Sequence, residues 1–146
     1  MPQNILAPAA VLVLWTMIML YWMFITRAGA FKRHGMKLST FPPGGRGPDL
    51  EGVVEPKTMW KAHNLNHLVE QPTVFYPAVI VLHLADGDSN LAIYLAWAYV
   101  VLRILHSIWQ SLINIVIVRF ALFATGSLCL TVLAILAVKA TFQMSV

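Results

Sequence analysis

An all-α integral membrane protein is predicted, a left-handed up-down bundle of four transmembrane helices. Three observations predict it. Four apolar runs, each about 20 residues or more, cover most of the 146 residues. Charged residues make up 11% of the chain against about 25% in soluble domains, too few to cover a water-facing surface. Seven of the ten Lys and Arg fall between Arg27 and Lys61, in and around the one long polar segment. The net charge of +4 is therefore no sign of nucleic-acid binding, because the aromatics lie in apolar runs and not among the basic residues. It reads as a cytoplasmic loop near anionic lipid.

The first span is expected over residues 5–26, about 33 Å at about 1.5 Å per residue. Pro8 falls in its first turn, where a missing N–H costs little. Tyr21 and Trp22 suit the interface ahead of Arg27. No Lys or Arg precedes this run, so it is expected to be a retained helix with its N-terminus outside, not a cleaved signal. Residues 27–59 form the cytoplasmic loop, with Phe41-Pro-Pro-Gly-Gly-Arg-Gly-Pro48 hostile to helix and strand. Two readings stand for it: a flexible connector, or a loop folded over a site at the membrane face.

The second span covers residues 60–84, and Pro72 and Pro77 predict a kink. The turn Asp86-Gly-Asp-Ser-Asn90 has no Lys or Arg and is placed outside. The third span runs over residues 91–112 and the fourth over residues 120–141. Arg119 marks a cytoplasmic turn between them that no Gly or Pro announces. A single domain results, with both termini outside and, in a bacterium, periplasmic on the inner membrane. Cys129 lies in an apolar run and reads as a buried, inert thiol; Met17, Met19 and Met23 read as packing or lipid-facing residues.

Two polar stripes interrupt this pattern. His63, Asn66, His67 and Glu70 share one face of the second span at offsets 0, 3, 4 and 7. Arg103, His106, Gln110 and Asn114 share one face of the third at offsets 0, 3, 7 and 11. A charge at mid-bilayer costs about 2.5–3.5 kcal/mol on insertion scales, so such residues face protein, water or a ligand. Glu70 is the expected countercharge of Arg103, and the two stripes are expected to face each other within a subunit or across an interface. Three readings compete. The stripes are interhelical glue, at about 0.6 kcal/mol per contact. They hold a metal through His63, His67 and Glu70 with His106 opposite. Or they hold an anionic, peptide-like ligand, which Asn66, Gln110 and Arg103 favour. No metal is expected. Arg119 serves as an interfacial anchor or a ligand-binding cation.

The segment Lys61-Ala-His-Asn-Leu-Asn-His-Leu-Val-Glu-Gln-Pro72, followed by Arg103-x-x-His106-x-x-x-Gln110 and by Arg119 sixteen residues after Arg103, resembles the family of membrane-associated proteins in eicosanoid and glutathione metabolism (MAPEG). The likeness is to bacterial members similar to microsomal glutathione transferases and spans most of the chain. It implies a homotrimer that binds glutathione, as substrate, between neighbouring subunits. His63, Asn66, His67, Glu70, Arg103, His106 and Gln110 would form the ligand site, with Arg103 and Arg119 catalytic. It further implies transfer to a small lipophilic electrophile or reduction of a lipid hydroperoxide. Two positions depart from the family pattern. Asn66 lies four residues before Glu70, where the family has Asn three before, a position held here by His67. Gln110 stands where the family has tyrosine seven residues after the helix-three Arg. Some relatives catalyse nothing. The alternative is a scaffold or binding subunit using the same cleft for lipid, quinone or the helix of a partner membrane protein.

Overall fold

The computed structural model describes residues 4–143, which contain helices and no strand. Five α-helices follow in order: α1 over Leu6–Arg33, α2 over Pro56–Glu70, α3 over Pro72–Leu84, α4 over Asn90–Leu112 and α5 over Val116–Gln143. Three of them, α1, α4 and α5, are long and apolar enough to cross a membrane.

The apolar run that begins at Ile5 ends near Thr26, but α1 continues two further turns to Arg33. Nothing in Arg27-Ala-Gly-Ala-Phe-Lys-Arg33 stops a helix. Gly35 does, at φ 63°, where the Met36 N–H reaches back to the Phe31 carbonyl at 2.9 Å. This is the left-handed stop that glycine adopts without Cβ strain. At about 42 Å, α1 exceeds a hydrocarbon core of about 30 Å, so its basic end projects towards the headgroups.

The stretch expected as one kinked second span is instead two helices that meet at Gln71. Pro72 has no N–H to donate to the last turn of α2, and it opens α3 at the position where a missing N–H costs nothing. Pro77 lies inside α3 without ending it. The α4–α5 connection has a left-handed residue after all. Asn114 takes φ 61° and donates its backbone N–H to the Trp109 carbonyl at 2.8 Å. Asparagine fills the role in which glycine was looked for. It is thereby removed from the α4 face on which its spacing had placed it.

The main core joins Leu12 and Met19 of α1, Phe75 and Val79 of α3, Ala96, Tyr99 and Val100 of α4, and Leu130 and Leu133 of α5. Phe75 and Tyr99 stack with ring centroids 4.5 Å apart. Small residues on α4, Ala92 and Ala96, let neighbouring helices approach, the usual substitute for hydrophobic drive in lipid. Outward positions such as Leu14, Ile25, Ile117 and Ile135 stay apolar and exposed, as a lipid-solvated surface requires. Thr16, Thr26, Thr125 and Thr131 donate their hydroxyls to carbonyls four residues back, so none is left unpaired among hydrocarbon.

The long loop is folded. It carries two short 3₁₀ helices, Leu38–Thr40 and Gly47–Leu50. Leu50 and Val54 pack with Ala30 and Met59 in a second, smaller cluster that Phe31, Met36 and Phe41 cover. Arg33 clamps Glu55 through two bonds of 3.2 Å, and Glu51 meets His63 at 2.6 Å. The hydrogen bonds from Arg33, with its charge in support, pull the exposed Glu55 carboxyl down to about 2. A carboxyl depressed on folding contributes stability above its unfolded value and loses it as pH falls through the folded value. The clamp therefore persists through neutral and mildly acidic pH and opens only near pH 2. An NMR titration of Glu55 is expected to show that midpoint, and Arg33→Gln to move it up towards the ordinary carboxylate range; the same midpoint in both proteins would mean that the clamp does not form.

Candidate functional site

The polar residues of the second and third spans come together, but through a different face of α2 from the one their spacing suggested. Successive residues turn by about 100° on a helix, so Asn64 and Asn66 lie on nearly opposite sides. Asn64 is the one turned inward. It is fully buried and donates to the Ser107 hydroxyl of α4 at 2.6 Å. Asn66 and Glu70 are exposed on the outer side of this chain, and His63 and His67 are half-buried between the two sides.

On α4 the face is the expected one. Arg103, His106 and Gln110 are all buried, and Ser107 and Ser111 lie four and eight residues after Arg103 on the same stripe. Arg103 is 2% exposed. No carboxylate lies within 4.0 Å of it among the described residues, so the expected pair with Glu70 does not form within one chain. Its Nη2 donates instead to the His67 backbone carbonyl at 2.7 Å. That carbonyl belongs to the last turn of α2, where a helix has spare acceptors of its own. The guanidinium also sits against the Phe123 ring of α5, 5.8 Å from its centroid. Nε and Nη1 remain buried without a partner, as does the Gln110 amide oxygen.

His67 and His106 meet edge to face, ring centroids 6.0 Å apart, and the Glu70 carboxylate lies 3.3 Å from His67 Nδ1. Together with Val116, Arg119, Phe120 and Phe123 these two imidazoles line an open cavity of about 190 Å³. Arg119 stands in the first turn of α5 and is oriented by Asn114, whose side-chain oxygen accepts from Nη1 at 2.7 Å. The residue that turns the chain thus also aims the cation.

Of the residues singled out from sequence, His67, His106 and Arg119 line this cavity; Arg103 lies behind it, against the His67 carbonyl and the Phe123 ring, and Gln110 lies further along the buried α4 face. His63 is drawn to Glu51 of the loop. Among the described residues no three His, Cys, Asp or Glu side chains form a metal-binding group. Four participants escaped sequence reading. Asn64 was passed over for Asn66. Ser107 and Ser111 carry the spacing of the Arg103 stripe but not its charge. Gln71, at the α2–α3 break, donates to Ser127 of α5 at 2.6 Å and accepts from the Tyr99 hydroxyl at 3.4 Å. A polar residue directly before an intramembrane proline was the available signal, since a broken helix needs side chains to tie its ends.

Helices of spanning length and apolar surface define an integral membrane protein, with a cavity lined by His67, His106 and Arg119. The chain belongs to the MAPEG family, whose model matches residues 5–139, nearly its whole length. No curated protein and no solved structure gives a significant match.

The Asn64–Ser107 bond ties α2 to α4 through two side chains, beside the Arg103 bond to the His67 backbone. Unfolding in mixed detergent micelles of Asn64→Ala, Ser107→Ala and the double variant is expected to give a coupling of about 0.6–1.7 kcal/mol. Strictly additive losses would show that the two groups do not rely on each other.

Proposed function

We propose that this protein is a glutathione-dependent transferase or peroxidase acting on lipophilic electrophiles or lipid hydroperoxides, with each site completed by a neighbouring subunit of a homotrimer. One observation carries the reading: a buried guanidinium, Arg103, retains two nitrogens, Nε and Nη1, without a partner, and it lies behind the His67 and Phe123 that line a cavity with Arg119 and His106. Unpaired donors on a buried charge cost several kcal/mol, and an anion that accepts from them recovers that cost. Membership of a family concerned with glutathione supports the choice of anion.

Two features favour a shared site. The cavity of one chain, about 190 Å³, is below the roughly 300–1,000 Å³ of ordinary ligand pockets. Asn66 and Glu70 are exposed on α2 in a stretch read as membrane-spanning, where lipid is a poor solvent for them. A second copy packed on that face would cover both and bring them to the ligand. Residues 56–84, though broken at Gln71, then act as the fourth crossing of a four-helix bundle. The concentration of Lys and Arg between Arg27 and Lys61 orients that end to the cytoplasm and both termini to the periplasmic side of a bacterial inner membrane.

In the reaction, Asn66 and Glu70 bind the peptide's polar groups. Arg103 and Arg119 favour the thiolate by placing positive charge beside it, and the thiol proton leaves to solvent. The thiolate sulfur attacks the electrophilic carbon, a C–S bond forms, and the leaving group departs with its bonding pair. With a hydroperoxide, sulfur attacks the terminal oxygen and the O–O bond breaks. One alcohol leaves, and a second glutathione converts the sulfenic acid to disulfide and water.

Purified protein in detergent is expected to form a thioether from glutathione and an aryl halide, and to migrate as a trimer after brief cross-linking. Arg103→Ala and Arg119→Ala are each expected to lower kcat/KM about 10²-fold, the scale of losing one preorganised donor. No turnover, no heat on titration with glutathione, and a co-purified lipid, quinone or membrane protein would replace this reading with that of a scaffold subunit.

A further inference from the structure

A second cavity, about 480 Å³, lies between the basic end of α1 and the folded loop. It is within the size range of small-molecule sites, roughly 300–1,000 Å³. Its walls are apolar and largely aromatic, from Phe24 and Phe31 of α1 and Leu38 and Phe41 of the loop. Its charged lining residues are Arg27 and Arg46, and no carboxylate lines it. Neither arginine has an acidic partner within 4.0 Å among the described residues. Asp49, three residues after Arg46, already accepts from the Arg46 backbone N–H at 2.7 Å. Arg27 is half-buried, and its Nε is buried with no hydrogen-bond partner. Its guanidinium is held against the loop at Gly47, where an added Cβ would come within 2.9 Å of Nη2. The loop therefore closes over a cation whose hydrogen-bonding capacity it does not fill.

The cavity also spans the right boundary. Phe24 is exposed inside the apolar stretch of α1, whereas Arg46 and Leu38 belong to the polar loop. One end of an occupant would lie against lipid-facing residues and the other against two arginines. From these contacts we infer that the cavity binds an anionic membrane amphiphile, its phosphate or carboxylate head held between Arg27 and Arg46 and its acyl chain along Phe24, Phe31 and Phe41. This site is separate from the cavity at Arg119 and does not depend on the glutathione reading.

Native mass spectrometry of the full-length protein, without glutathione, tests it with three probes: dioleoyl phosphatidylglycerol, oleate and dioleoyl phosphatidylcholine. Phosphatidylglycerol, oleate or both are expected to be retained over phosphatidylcholine. The double variant Arg27→Gln with Arg46→Gln is expected to weaken that preference about 30-fold, each basic side chain being worth about fivefold. Retention of oleate alone identifies a free carboxylate as the head; retention of phosphatidylglycerol identifies a lipid phosphate. Leu38→Asp, at a residue 76% exposed and so tolerant of change, places a carboxylate in the lining and is expected to reduce retention of both anions. Equal retention of all three probes, or an unchanged preference in either folded variant, overturns the inference.

Discussion

The rest of the structure is arranged around a guanidinium buried in an apolar span. Arg103 cannot lose its charge, and at 2% exposure it has no water to turn to. The helices around it answer in parts: a backbone carbonyl from α2, an aromatic face from α5, and polar neighbours along α4 itself. Supplying an acceptor from backbone is possible because α2 stops at Glu70, leaving the last turn with carbonyls to spare. The break at Gln71–Pro72 is thus part of how a cation is housed, and Gln71 itself ties the break to Tyr99 of α4 and Ser127 of α5.

A similar economy appears at the α4–α5 turn. Asn114 provides the left-handed residue that ends α4, and its side chain then accepts from Arg119. Turning the chain and orienting a site cation are done by one amide. The second arginine is consequently fixed relative to α4, the helix that carries the first. Arg119 lines the small open cavity that has His67 and His106 on its wall.

At the other edge of the molecule, the overrun of α1 past its apolar stretch gives the loop something to fold on. Leu50, Val54 and Met59 bury against Ala30, and the Arg33–Glu55 clamp closes the arrangement at its solvent side. A segment rich in proline and glycine is ordered because its few apolar residues find a helix end, not because of local propensity. That ordering brings Glu51 to His63, and it encloses Arg27 beneath Gly47.

Much of this was legible in one dimension. The scarcity of charge and the length of the apolar runs sufficed for an all-helical membrane protein, because hydrocarbon leaves the backbone few other ways to satisfy itself. Arg103, His106 and Gln110 were readable as one buried face because α4 is regular throughout and 3.6-residue spacing holds along it. What spacing could not supply was the rotation of α2. Periodicity says which residues share a face, and both Asn64 and Asn66 belong to a plausible one. Packing decided for Asn64, because Ser107, itself unremarkable in sequence, stands opposite. The Glu70–Arg103 pair failed within the chain for the same reason, since the face that carries Glu70 points outward. The stop at Gly35 and the turn at Asn114 likewise depended on single φ values, which composition does not encode. Sequence by itself therefore determined the solvent this chain folds in and the helix face on which α4 gathers its polar groups. Tertiary structure alone decided which side of α2 meets them, because that choice is made by contacts between residues more than forty positions apart.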